Sequence, residues 1–199
     1  MSDLRVILVT GLPATGKTTL ARELAARYRV PLIGKDMIKE PLLDRLGARD
    51  AAESRRLSDA SFSVLFALAR ELSVAGSDVL LEGNFRPGEH ERPLLEALPA
   101  AIAATAAHVF AQVLCTVDEN ERLERLTARE RDPSRHPGHR DRDQGLSPPS
   151  ARGSSFLSLP GERFVHDGAA GRRVIVTIDD WWNRRTIPVK KRPSLEPRR

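Results

Sequence analysis

Eight consecutive residues, Gly11-Leu12-Pro13-Ala14-Thr15-Gly16-Lys17-Thr18, carry the most specific chemistry in the chain. They fit G-x-x-x-x-G-K-[ST], and each fixed position has a physical reason. Gly11 and Gly16 let the backbone turn so that its N–H groups face one anion. A helix opening at the second glycine would point its positive end at the same anion. Lys17 would then reach the terminal phosphates, and the Thr18 hydroxyl would sit on the Mg²⁺ that accompanies them. Gly11, Leu12, Pro13, Ala14, Thr15, Gly16, Lys17, Thr18 and Thr19 together read as a cradle for the phosphates of ATP. A chance match in a Gly/Pro turn is the plain alternative. Context argues against it: the apolar run Leu4–Val9 precedes the loop, and Leu20, Leu24 and Tyr28 recur every four residues after it.

A cradle says nothing about which group receives the phosphate. In a parallel sheet, ligands gather at the carboxyl ends of the strands. The second apolar run, Pro31–Ile33, leads into Gly34-Lys35-Asp36, and the third, Asp78–Leu81, into Glu82-Gly83-Asn84-Phe85-Arg86. Asp36 has the chemistry of a general base that takes a hydroxyl proton during attack on the γ-phosphate. It also has the chemistry of a helix cap, and the two roles are compatible. Glu82 is suited to holding water on Mg²⁺, or to pairing with Lys17 or Arg86. Asn84 and Arg86 are candidates for the acceptor side.

The fourth run, Ala107–Cys115, leads into a strongly charged helix, Glu119–Arg131. Arg122, Arg125 and Arg129 lie on one stripe of it, and Arg131, Arg135, Arg140 and Arg142 follow. Phosphoryl transfer needs fixed positive charge around the equatorial oxygens, and arginine supplies it at every pH. Arg125 is expected on the nucleotide, Arg129 on the transferred group, and Arg135, His136, His139 and Arg140 on the substrate. A solvated helix paired through Glu121, Glu124 and Glu130 is the ordinary alternative, and it suits Arg122 best. His136 and His139 have no acidic or cysteine partner at ligand spacing, so phosphate contact or a turn at Pro137-Gly138 fits them better than metal.

These residues need strands to carry them. Between the strands, helices are expected over Gly16–Tyr28, from Asp36 to Gly47 with Pro41 inside, after the Asp50/Glu53 capping pair, and over Glu89–Leu98. The helix after Asp50 is expected to bury Leu57, Ser61, Leu65, Leu68 and Leu72 and to stop at Gly76. Arg173–Ile178 is rich in β-branched residues and reads as the fifth and last strand. Alternating strands and helices define an α/β fold: a mainly parallel five-stranded sheet with helices on both faces. Residues 132–163, with five Pro, four Gly and six Ser, are expected to form an arginine-rich lid. Asp179-Asp180-Trp181-Trp182 would border the adenine or seal a sheet edge.

Taken together, these motifs resemble small P-loop kinases over about residues 4–142. The adenylate kinase layout has counterparts in Asp36, in Glu82-Gly83 with Arg86, and in Arg125 with Arg129. Glu82 stands where nucleotide kinases usually have Asp. The closer resemblance is to the ATP-binding family that includes polynucleotide 5′-kinase, chloramphenicol phosphotransferase and zeta-toxin-like enzymes. That resemblance implies ATP and Mg²⁺ as cofactors, Asp36 as the catalytic base, and a three-layer P-loop fold.

Bulk properties set the remaining bounds. At 199 residues, one domain over 1–182 is expected. The net charge of +5 is concentrated in residues 183–199, which hold seven Lys/Arg and one Glu. That basic, Pro-containing tail reads as disordered and solvated, with nucleic-acid contact as the alternative. A single cysteine excludes an internal disulfide and a cysteine-based zinc site. No run suits a signal peptide or membrane span, so the expected location is the cytoplasm. The expected activity is ATP-dependent transfer to a hydroxyl of a small molecule, such as an antibiotic, sugar or nucleoside. The rival expectations are a polynucleotide 5′-hydroxyl kinase, disfavoured by an aromatic content of 5%, and a non-kinase nucleotide-binding regulator.

Overall fold

β1 (Val6–Gly11) is the central strand because every residue in it is buried, and only a strand covered on both faces accommodates that. The computed structural model describes residues 4–98, 110–132, 136, 155–168 and 171–184. After β1 come α1 (Lys17–Tyr28), β2 (Leu32–Gly34), α2 (Lys35–Leu46), α3 (Ala51–Val74), β3 (Val79–Glu82) and α4 (Glu91–Ala97). They are followed by β4 (Phe110–Cys115), α5 (Glu119–Glu130), β5 (Glu162–His166) and α6 (Gly171–Asn183). The strands form one parallel sheet in the order β2-β3-β1-β4-β5.

Successive β1 side chains point to opposite faces, so the core has two halves. Val6 and Leu8 pack with Phe62, Leu65, Phe66 and Ala69 of α3, and with Phe85 and Leu94. Ile7 and Val9 pack with Leu20, Ala21 and Leu24 of α1, and with Val174, Ile178 and Trp181 of α6. The helix after Asp50 starts as its sequence predicts: the Asp50 carboxylate accepts the Glu53 N–H at 2.8 Å. Leu68 was expected inside and is 45% exposed. The buried face is centred on Phe62, Leu65 and Ala69, and Leu68 lies at its edge, about one residue's rotation from Ala69.

The fifth strand is not where composition placed it. Arg173–Ile178 lies within α6. Val174, Ile178 and Trp181 are buried while Val176 is 59% exposed, and that is a helical period. A strand would have put Val176 on the same face as Val174 and Ile178. The true β5 pairs with β4 in the register Val113↔Phe164. Its inward residue is Phe164, and Val165 faces out.

The expected lid is corrected at its C-terminal end. Leu157 and Leu159 belong to the core. The Leu157 N–H donates to Gln112 Oε1 at 2.9 Å, and Gln112 Nε2 donates back to the Leu157 carbonyl at 3.2 Å. Residues 155–163 are therefore tied to β4. Residues 133–135 and 137–154, with Arg135, His139 and Arg140, lie outside the described residues, as does the tail from 185.

The tryptophans also settle. Trp181 is buried in the core, and Trp182 stacks on Tyr28 at 4.3 Å between ring centroids. The Arg5 guanidinium lies 4.7 Å from the Trp182 ring. Tyr28 ends α1 and Arg5 precedes β1, so the pair seals the sheet edge opposite the phosphate loop and does not border a nucleotide there. Among the described residues, no helix is long and apolar enough to cross a membrane.

Candidate functional site

β1 runs directly into the loop, and glycine is required at the junction. Gly11 has φ +140°, and a Cβ there would lie 2.3 Å from the Cys115 carbonyl oxygen of β4. Ala14 adopts φ 68°, a left-handed conformation that a non-glycine residue rarely takes. The Thr15 hydroxyl donates to the Leu12 carbonyl at 2.8 Å and closes the turn. Gly16 stands at the N-cap of α1, and no side chain caps the helix. The first N–H groups of α1 are thus turned toward the space an anion would fill. Lys17 folds back over the loop and donates from Nζ to the Leu12 carbonyl at 2.7 Å. Thr18 and Thr19 follow in the first turn.

Beside the loop stand two carboxylates from neighbouring strand ends. Glu82 closes β3 and is 5% exposed. Burial pushes its carboxyl above the ordinary glutamate range; Lys17 opposes this, Asp36 adds to it, and Lys35 and Arg22 oppose it again. Burial likewise pushes the Lys17 ammonium down, against the carboxylates of Glu82 and Asp36. The Cys115 thiol is pushed up to about 12 by burial, so it is no nucleophile at neutral pH.

Asp36 lies in the first turn of α2. Gly34 holds the N-cap position in extended conformation, with no side-chain cap. Asp36 is the second residue of the helix and not its N-cap; its carboxylate pairs with Lys35 Nζ at 2.5 Å. Pro41 is accommodated within α2, which begins at Lys35 without delay.

The arginines divide into two groups. Arg125 reaches the loop, donating from Nη1 to the Ala14 carbonyl at 3.4 Å while Nη2 pairs with Glu121. Arg129 is exposed one turn on, close enough to Lys17 to lower its basicity. Arg122 points elsewhere: it is buried and gripped by both oxygens of Glu119, at 2.8 and 2.6 Å. Arg86 pairs with Asp59 of α3 at 2.8 Å and with Glu89 at 2.9 Å, not with Glu82. It is a strut of the β3–α4 loop, on which Asn84 is half-buried. His136 Nε2 contacts Asp44 Oδ1 of α2 at 2.8 Å.

Three residues were missed. The buried face of α2 is Lys35, Lys39 and Leu43, and Lys39 Nζ donates to Ser54 Oγ of α3 at 2.9 Å. Two lysines at i and i+4, on the stripe where an amphipathic helix puts apolar residues, were the legible signal. His90 is buried against Phe62 at 4.0 Å and accepts the Arg86 N–H on Nδ1. Burial pushes it down to about 4, with help from the Arg86 charge. Nothing in the spacing marks it.

The donors present fit Mg²⁺. A hydroxyl at Thr18 and a buried carboxylate at Glu82 are hard oxygen ligands, and a cation would favour the ionised form that burial disfavours. Among the described residues no three His, Cys, Asp or Glu side chains cluster as a metal cage.

A glycine-lined strand–loop–helix at the carboxyl edge of a parallel sheet, with a lysine inside it, defines a P-loop nucleotide-binding protein of the kinase type. The profile of the AAA_33 family, an AAA domain, matches residues 6–144, and the chain belongs to that family. It is 37% identical over 82 residues to the cytidylate kinase of Pyrobaculum neutrophilum, an alignment covering 40% of this chain and 44% of that enzyme. The chain thus matches less than half the length of that curated relative. A kinase candidate from Chloroflexus aurantiacus superposes with TM-score 0.78 at 29% identity, over 92% of this chain and 99% of that one. The APS kinase of Mycobacterium tuberculosis, in complex with AMPPNP and APS, shares the fold with TM-score 0.54 at 17% identity, over 90% and 98% of the two chains.

Proposed function

We propose that the protein is an ATP- and Mg²⁺-dependent phosphotransferase that moves the γ-phosphate to a hydroxyl of a small molecule. The observation that carries this reading is the convergence of Lys17, Glu82 and Asp36 at the carboxyl ends of three adjacent strands, β1, β3 and β2. The loop N–H groups and Lys17 hold the β- and γ-phosphates, with Arg125 and Arg129 of α5 on the other side. The acceptor oxygen attacks the γ-phosphorus, its bond to the β–γ bridging oxygen breaks, ADP leaves, and the acceptor's proton passes to the Asp36 carboxylate. Thr18 and Glu82 would hold Mg²⁺, which would supply positive charge to the phosphate oxygens. Asn84, with its loop fixed by Arg86 and His90, borders the acceptor.

Two observations weigh against the rivals. The tyrosine and both tryptophans are committed to the far edge of the sheet, so they offer no stacking platform for a nucleic-acid end. A carboxylate on the acceptor side is superfluous for a slow nucleotide switch. The test is a screen with γ-labelled ATP against antibiotics, sugars, nucleosides, nucleoside monophosphates and oligonucleotides. Repeated label transfer to a hydroxyl compound supports the proposal. Labelled oligonucleotide ends would support the polynucleotide reading, and free phosphate with no labelled acceptor the regulator. Label on a monophosphate would align the chain with its cytidylate kinase relatives.

A further inference from the structure

We propose that Lys35 is a positioning residue for phosphoryl transfer, clamping one face of Asp36. The inference rests on the reading of Asp36 as the base. Lys35 opens α2, and its side chain is 11% exposed, against 50% for Asp36. Its Nζ lies 2.5 Å from Asp36 Oδ1, an oxygen with almost no surface of its own. One edge of the carboxylate is thus sealed by the ammonium while half of the side chain stays open to the crevice.

The lysine's stem has a prepared seat. A Cβ at Gly83 would lie 3.3 Å from the Lys35 Cβ and 3.2 Å from the Phe62 ring. The absence of a side chain at 83 is what lets the lysine lie against the end of β3. Two ammonium groups and two carboxylates thus gather at the strand ends: Lys35 pairs with Asp36, and Glu82 feels the charges of Lys17, Asp36 and Lys35 together. Without Lys35, the Asp36 carboxylate would lose its ion-pair partner while still facing the like charge of Glu82. Asp36 would turn toward water and lose its aim. An apolar residue on this inward stripe would serve the fold better, because assembling buried charges costs more than burying a hydrocarbon. The lysine fits a requirement of charge arrangement and not of packing.

The test compares Lys35→Met, Lys35→Arg, Asp36→Asn and the Lys35→Met/Asp36→Asn double variant in the full chain. The probe is Mg-ATP carrying a labelled γ-phosphate, followed both to the acceptor found in the screen and to water. Binding of Mg-ATP and thermal melting are measured alongside. Lys35→Met should bind Mg-ATP within about threefold of wild type and transfer roughly tenfold or more slowly at saturation, and Lys35→Arg should recover most of that loss. The double variant should be no slower than Asp36→Asn alone, because a residue acting through another has nothing left to act on. Multiplying losses in the double variant, or a Lys35→Met defect confined to melting or nucleotide affinity, would overturn the proposal. If Asp36→Asn itself transfers at the wild-type rate, the base assignment falls and takes this inference with it, an outcome read from the single variant alone.

Discussion

The two edges of the sheet treat charge in opposite ways. At the amino edge, charges meet partners within the protein. Asp179 accepts from Arg27 Nε at 2.6 Å and from the Tyr28 hydroxyl at 2.8 Å, and the Arg5 N–H donates to Asp78 at 2.7 Å. At the carboxyl edge, a half-buried lysine and a buried glutamate are held in a desolvated setting that pushes one down and the other up. The first arrangement holds the fold together. The second is what a fold tolerates in order to meet a charged ligand. The lesson is that paired charge and strained charge in one sheet separate stability from activity.

Four measurements would break or sharpen that contrast. The largest effect belongs to Lys17. Lys17→Ala should lower transfer by roughly 10³-fold or more, while the chain still folds without nucleotide, because relief of a desolvated cation offsets the charge lost beside Glu82. Turnover retained in that variant would end the assignment of the loop. Next, Asp36→Asn should keep Mg-ATP affinity and lose about 10²–10⁴ in rate; a near-native rate would leave Asp36 a bystander. Arg129→Ala should come third, with transfer falling by roughly tenfold or more and the melt unchanged, since an exposed side chain has little to lose in the fold. At the amino edge, Asp179→Ala should do the reverse. It leaves the half-buried Tyr28 hydroxyl without its acceptor, and about 1 kcal/mol of stability should go, or roughly 2–4 °C in melting temperature, with turnover untouched.

His90 offers a test that needs no ligand. It is held neutral in the fold at about 4, against 6.5 for the free side chain. The unfolded chain therefore binds the proton first as pH falls. The contribution of His90 is full above about pH 6.5 and is lost as pH drops toward 4, amounting to at most about 3 kcal/mol. Urea melts between pH 4 and 7 should show that slope, and His90→Phe should flatten it. An unchanged slope in the variant would place the acid sensitivity elsewhere.

Legibility divided along the same line as the charges. The phosphate loop was readable because its backbone demands appear as residue identities: Gly11 must be glycine where β4 presses against it. The places of Asp36 and Glu82 were readable because strand ends fix where they stand, and those of Arg125 and Arg129 because their helix follows the end of β4. The α3 start was readable from Asp50 and Glu53. β5 was not, because Arg173–Ile178 has strand composition on a helical period, while Glu162–His166 has one inward apolar residue and little alternation to see. Lys35 was passed over because a lysine in sequence looks solvated, and only the packing of α2 on β3 shows it buried. The partners that the fold brings to Arg86 and His136, namely Asp59, Glu89 and Asp44, were not legible, because isolated polar residues carry no sign of them.

The stack of Trp182 on Tyr28, with Trp181 buried beside it, has a practical consequence for optical work. The chain contains only these two tryptophans, and both sit at the edge remote from the loop. Intrinsic emission should therefore shift strongly when the sheet comes apart and hardly at all when nucleotide docks. The native fluorophores form a clean gauge of unfolding and a nearly blind one for occupancy. Affinity is then best followed by calorimetry or by a labelled nucleotide.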